Sequence, residues 1–213
     1  MDQLDLEEAT AAHLPDEFLT ATIKSVFLAR YLSRSACRKE FEQTEAANVE
    51  PFYVRAKVES LIRNAAERFP GLSATVVNSS GWNHTEIRSG PMLLTSHAVE
   101  TPCGMVHDAK YRKSLAESQS SLIAPEKVIP GAKLYALLLH GPFRGRTHQE
   151  TADYAYLPGS VYLAFPEAAL KRYAHKINLF EKFSGVVDEL LPKEWDTEAR
   201  LVYRWRARQV GAA

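Results

Sequence analysis

The sequence predicts an α+β fold: a mainly antiparallel sheet, built from two hairpins and a central buried strand, packed by two N-terminal helices and a later helix. Three observations carry this expectation. Apolar residues recur every three or four positions through the first third of the chain, which is the spacing of one helix face. From Leu72 the period falls towards two, with β-branched runs bounded by glycine, proline, asparagine and serine. Helical patterns come first and strand patterns afterwards, instead of alternating, so a doubly wound βαβ fold is disfavoured.

The elements follow in chain order. Residues 1–14 are acidic and weakly patterned, and stand as a segment before a single domain over 15–213, made of a helical pair (16–70) and a sheet-containing part (72–213). Leu14-Pro15-Asp16-Glu17 puts a proline and two carboxylates where a helix N-terminus favours them. Leu19, Ile23, Val26, Phe27 and Tyr31 then trace a helix near 16–44. Asn48-Val49-Glu50-Pro51 resembles a cap with a first-turn proline, and Val54, Val58, Leu61, Ile62, Ala65 and Phe69 form the stripe of a second helix that stops before Pro70-Gly71.

Ala74-Thr75-Val76-Val77 opens the sheet. Residues 82–88 and 92–99 flank Ser89-Gly90 as a β-hairpin. A short amphipathic helix is expected over 105–118. Leu134–Leu139 is apolar on both faces and so belongs in the middle of a sheet. A second hairpin is expected about Pro158-Gly159, then a helix opening at Pro166-Glu167 with Leu170, Tyr173, Ile177 and Phe180 buried. Residues 184–197 read as loop, and 201–208 as a closing alternating strand.

Composition bounds the function classes. With 213 residues, 46% hydrophobic, 24% charged and mean hydropathy −0.26, the chain matches an ordinary globular protein and excludes a disordered, collagenous or membrane-embedded one. No run approaches the roughly 18 apolar residues of a spanning helix, and the acidic start lacks a secretory signal. Two cysteines, Cys37 and Cys103, without C-x-x-C, fit a reducing cytoplasm. Lys+Arg and Asp+Glu both number 26, yet the ends differ in sign: residues 1–17 hold six acids and no Lys or Arg, while 196–208 hold four arginines and two acids.

Three constellations carry candidate chemistry. In a strand over 82–88, His84, Glu86 and Arg88 share a face with Trp82, and a loop flanked by Arg88 and Pro91 pairs Glu86 with Leu93, His84 with Thr95 and Trp82 with His97. Imidazole, carboxylate and guanidinium on one face suit acid-base work or phosphate binding; a solvated hairpin face whose charges pair along the strand explains the same letters. The second is His140-Gly141-Pro142-Phe143-Arg144-Gly145-Arg146-Thr147-His148, leaving the buried strand, where arginines and close-approach glycines suit an anion; a ligand-free basic turn is the alternative. The third is Arg204, Arg206 and Arg208, alternating with Tyr203 and Trp205, a pattern that suits phosphate and base contacts or simply guards an edge strand.

His84-x-Glu86 with His97 and His107 matches no metal-binding signature, G-x-G-x-x-G and Walker A loops are absent, and G-x-S-x-G does not occur, so no metal or cofactor is implied. The leading expectation is a small cytoplasmic protein binding a nucleic acid or nucleotide. Metal-independent phosphodiester cleavage would use Glu86 or His84 as base, His97 or His140 as acid, and Arg88, Arg144 or Arg146 to steady charge. The competing class is a non-catalytic interaction protein, antitoxin-like, that uses the N-terminal helices for a protein partner or self-association and the arginine strand for its target.

Overall fold

A short helix, α1 (Leu6–His13), forms within the acidic segment, and Leu14 beyond it is buried in the core. Pro15 caps α2 (Asp16–Glu40), whose first turn carries Asp16 and Glu17 and whose last carries Arg38 and Lys39, both signs matched to the helix dipole. Phe41 is extended and ends the helix before residue 44. The next helix, α3 (Gln43–Ala66), starts earlier than the Asn48 cap predicted, so Pro51 lies inside it and the Ala47 carbonyl loses its usual amide donor. Val54, Val58, Ile62 and Ala65 form its buried stripe, and Gly71, at φ 85°, turns the chain into the sheet.

The computed structural model describes residues 6–79, 82–101, 104–106, 109–123, 134–145, 147–195, 199, 200 and 203, with the backbone alone for 82, 118 and 120–123. Its remaining elements are β1 (Leu72–Ser79), β2 (Trp82–Ser89), β3 (Met92–Ala98), α4 (Lys110–Ile123), β4 (Leu134–Pro142), α5 (His148–Asp153), β5 (Pro158–Pro166), β6 (Tyr173–Asn178), α6 (Leu179–Lys182) and α7 (Ser184–Leu190). The strands make one sheet in sequence order, antiparallel except for β3 against β4. That parallel pair requires a crossover, which α4 lies within.

Every residue of β4 but the last is buried, as its two-faced apolar pattern predicts. Leu134, Ala136 and Leu138 face the layer of α2 and α3, together with Leu94, Val161 and Leu163. Tyr135, Leu137 and Leu139 face the other way, with Leu93, Tyr162, Ala164 and Ala116 of α4. The sheet is therefore covered on both sides, and β4 runs through its middle.

Several expectations are corrected. The β2–β3 loop is Gly90-Pro91, not Ser89-Gly90, because Gly90 takes φ 53° while proline holds a negative φ, the requirement of a type II′ turn. No hairpin forms at Pro158-Gly159: both residues open β5, where a Cβ on Gly159 would collide with the Pro142 carbonyl. The second hairpin is β5 with β6 instead. Pro166 ends a strand and does not open a helix; Tyr173 and Ile177, expected on a helical stripe, belong to β6. Residues 184–190, expected as loop, form α7. Tyr203 has helical backbone, against the expected strand. Cys103, His107, Arg146, Arg204, Arg206 and Arg208 lie outside the described residues. Among those described, no helix is long and apolar enough to cross a membrane.

Candidate functional site

The expected hairpin register is wrong by two positions: Glu86 pairs with Thr95 and Arg88 with Leu93. A shift of two preserves the facing of every side chain, because strand side chains alternate with period two. His84, Glu86, Arg88 and His97 accordingly lie on the same side of the sheet, the side that α4 covers.

The group starts at the sheet interior and ends in an opening. Tyr135 of β4 is fully buried and its hydroxyl lies 2.9 Å from Thr95 Oγ1. Burial pushes the Tyr135 pKa up, so the phenol keeps its proton. Thr95 Oγ1 is 3.3 Å from His97 Nε2. Arg112 of α4 places Nη1 3.2 Å from His97 Nδ1, the shorter of its two contacts with that ring. Because a guanidinium only donates, Nδ1 is assigned as the acceptor and Nε2 as the N–H, pointing the hydrogen-bond chain from His97 through Thr95 to Tyr135. Burial, followed by the charges of Arg112 and Arg55, holds the His97 pKa well below the usual imidazole value. A neutral His97 accepts one hydrogen bond and donates another; it does not supply the proton of a general acid at neutral pH.

His84 is 2% exposed and its ring stacks on Tyr111 of α4, with centroids 4.3 Å apart and planes 19° from parallel. Its Nε2 is buried without a hydrogen-bond partner, 3.6 Å from Glu86 Oε1. The other oxygen, Glu86 Oε2, accepts from Arg88 Nη2 at 2.8 Å. Arg112 also donates to the Tyr111 hydroxyl at 3.1 Å, which ties the first turn of α4 to both histidines.

Beside this network, at the C-terminal end of β3, opens a cleft of about 1040 Å³. Its wall includes His84, His97, Tyr111 and Arg112, the strand end Ser96–Thr101, Lys110 at the start of α4, and Arg55 from α3. Arg55 is held by Glu59 at 3.2 Å and donates to the Asn83 carbonyl at 3.1 Å. Among the described lining residues, the cations Arg55, Lys110 and Arg112 face one carboxylate, Glu100. The wall thus favours a negatively charged guest.

The structure brings together His84, Glu86, Arg88 and His97, and the two histidines reach the cleft. It does not bring the 140–148 loop to them. His140 is 1% exposed and faces the opposite side of the sheet, beneath α2, where burial first and the Arg30 charge second lower its pKa to about 3. Arg144 and His148 are exposed, His148 as the first residue of α5, capped by the Thr147 hydroxyl. The arginines that do approach, Arg55 and Arg112, come from helices and were not singled out by the sequence reading. The one local signal for Arg112 is the run Lys110-Tyr111-Arg112-Lys113, basic residues with an aromatic opening a helix directly after the hairpin.

Among the described residues, no group of three or more His, Cys, Asp or Glu side chains is placed to hold a metal ion. Comparison of the chain with protein-family models, curated proteins and solved structures finds no match.

Proposed function

We propose that this protein binds a phosphate-bearing ligand, a nucleotide or nucleic acid, in the cleft between the end of β3 and the start of α4. The observation that carries the reading is the charge of the wall: Lys110 and Arg112, beside an Arg55 already paired with Glu59, against Glu100 among the described lining residues. A cleft of about 1040 Å³ is ample for a nucleotide. Arg112, held against Tyr111 and His97, is positioned before a ligand arrives, which lowers the entropic cost of gripping a phosphate. The test is calorimetric titration with a nucleoside monophosphate. Loss of one charge-assisted contact in Arg112→Gln weakens binding roughly ten- to hundredfold, and affinity falls as salt rises. Unchanged affinity in both Arg112→Gln and Lys110→Gln refutes the proposal.

A second reading, metal-independent phosphodiester cleavage, draws support from the unpartnered Nε2 of His84 beside Glu86. There His84 acts as base, Glu86 steadies the imidazolium, and Arg88 offsets the carboxylate charge. Incubation with an RNA oligonucleotide tests it: turnover unchanged in both His84→Ala and Glu86→Ala removes the reading. The interaction-protein alternative draws on Leu28, Tyr31, Leu32 and Phe52, exposed apolar residues of α2 and α3, with Phe52 63% exposed. Self-association through them is insensitive to salt, and sedimentation at low and high salt distinguishes it.

A further inference from the structure

The two edge strands of the sheet are built differently. β6 is short, carries His175 and Lys176, pairs with β5 through a register irregularity at Phe165/Pro166, and receives Glu7 of α1 at 3.3 Å from His175. Brevity, charge, irregular pairing and cover are the usual protections of an edge. β1 has none of them: its eight residues include no charged residue, proline or glycine, and all pair with β2 without a register shift. Ser73, Thr75 and Asn78 are exposed. Val76, on the side covered by helices, is 47% exposed, whereas Leu72 and Ala74 pack against the core.

The ladder fixes which backbone groups this edge offers. Ser89 and Met92 flank the Gly90-Pro91 turn and bond to each other, so Ser89, Ile87 and Thr85 direct their backbone groups away from β1, and Arg88, Glu86 and His84 direct theirs towards it. The Thr85 amide follows that alternation, donating to Glu59 Oε2 of α3 at 3.1 Å. Ser73, Thr75 and Val77 therefore bond to β2, while Leu72, Ala74 and Val76 present their groups outward. The Phe69 carbonyl accepts the Leu72 amide; among the described residues, the outward N–H and C=O of Ala74 and Val76 have no partner. Such an alternating row is a template for another strand.

We propose that β1 is the seam of a homodimer, pairing antiparallel with β1 of a second copy about a twofold axis at Thr75 and joining the two sheets into one. In this register Ala74 pairs with Val76 of the second copy, and reciprocally, so each free N–H meets a free C=O and the exposed Val76 lies against a small residue. Thr75 meets its own copy in a non-hydrogen-bonded pair, Cα atoms about 4.5 Å apart, where two threonines match favourably. Three features select a second copy over a foreign strand. β1 is already ordered, so its pairing avoids the entropy that a free peptide loses. The edge is uncharged, so it meets itself without repulsion. The helix α3, which lies along β1 and β2, runs antiparallel to its copy: residues 43–54 carry Glu45 and Glu50 and no base, residues 55–66 carry Arg55, Lys57 and Arg63 against Glu59, and opposite net charges adjoin. Thr75 and Val76 do not line the cleft.

Sedimentation of the full chain tests the seam. With rising concentration the wild-type mass climbs from the 23.9 kDa of one chain towards twice that value. Thr75→Lys sets like charges opposite each other and raises the dimer Kd at least about tenfold. Val76→Pro deletes an outward N–H without taking a bond from β2 and weakens the dimer in the same direction. Circular dichroism of both variants matches the wild-type monomer. Under mild oxidation Thr75→Cys links two copies above the wild-type background, and Ser73→Cys does not, because Ser73 lies opposite Val77 of the second copy. A wild-type chain that stays monomeric at millimolar concentration, or Ser73→Cys linking as readily as Thr75→Cys, overturns the proposal. So does a dimer that survives both Thr75→Lys and Val76→Pro, which assigns association to the exposed apolar residues of α2 and α3 instead. Failure of the seam leaves nucleotide binding by the cleft untouched, because that titration reads Arg112 and Lys110.

Discussion

Replacing His140 by leucine should flatten the acid limb of the stability profile. In the folded protein burial lowers the His140 pKa to about 3, whereas an unfolded histidine titrates near 6.5. Above pH 6.5 both states are neutral at this residue and it contributes no pH dependence. Below that value the unfolded chain takes up a proton that the folded chain refuses, so stability falls as pH falls, until the folded imidazole itself titrates near pH 3. Between pH 6 and pH 4 this difference amounts to about 2.5 kcal/mol, a sizeable part of the roughly 5–15 kcal/mol that holds a domain together. With a urea m-value of about 2 kcal/mol/M, the wild-type midpoint drops by about 1.2 M from this residue alone. The low pKa of His97 acts with the same sign, but it is present in both proteins and cancels in their difference. Urea unfolding of wild type and His140→Leu at half-unit pH steps measures the effect directly. Parallel losses of stability in the two proteins between pH 6 and pH 4 would show that His140 is not held neutral in the core, and the reasoning would fail.

Three other substitutions probe the frame and the site. Thr95→Val leaves the buried Tyr135 hydroxyl without its 2.9 Å partner and costs about 1–3 kcal/mol in urea unfolding; a neutral result means the relay behind His97 is not formed. Gly159→Ala drives a methyl group into the Pro142 carbonyl and costs about 1–3 kcal/mol, measured the same way, and full stability would contradict the close approach of β5 to β4. Arg88→Gln breaks an ion pair whose arginine side chain is 47% exposed, so stability changes by less than about 1 kcal/mol; a larger loss would give the pair a structural role that its exposure argues against.

The sheet and the two long helices were legible because their patterns are local. Leu134–Leu139 reads as a central strand from its letters alone, and the stripe Val54, Val58, Ile62 reads as one helix face. Facing within the β2–β3 hairpin also survives an error in register, since a loop one residue further along moves the pairing by two, an even step. The helix expected from Pro166 failed because Leu170, Tyr173, Ile177 and Phe180 fit a helical spacing while serving different elements: Tyr173 and Ile177 sit in β6 and Phe180 in α6. Leu170 at φ 53° interrupts any helix there.

The site was half visible for a similar reason. His84, Glu86 and Arg88 share a face by alternation, which is a property of one strand. That Arg55 and Arg112 complete the wall depends on how α3 and α4 pack, which no spacing reveals. His140 pointed towards function by its place at the end of a buried strand, yet its side chain alternates onto the α2 face, where it meets Arg30 instead of the cleft.

The claim that a phosphate-bearing ligand occupies the cleft is tested most directly by following the imidazole nitrogens of the histidine-labelled protein by NMR during titration with a nucleoside monophosphate. His84 and His97 line the cleft, whereas His140 lies on the far face and His148 on α5. The account predicts saturable shifts at His84 and His97 with His140 unmoved. Shifts confined to His148, or none at any imidazole up to saturating nucleotide, contradict it.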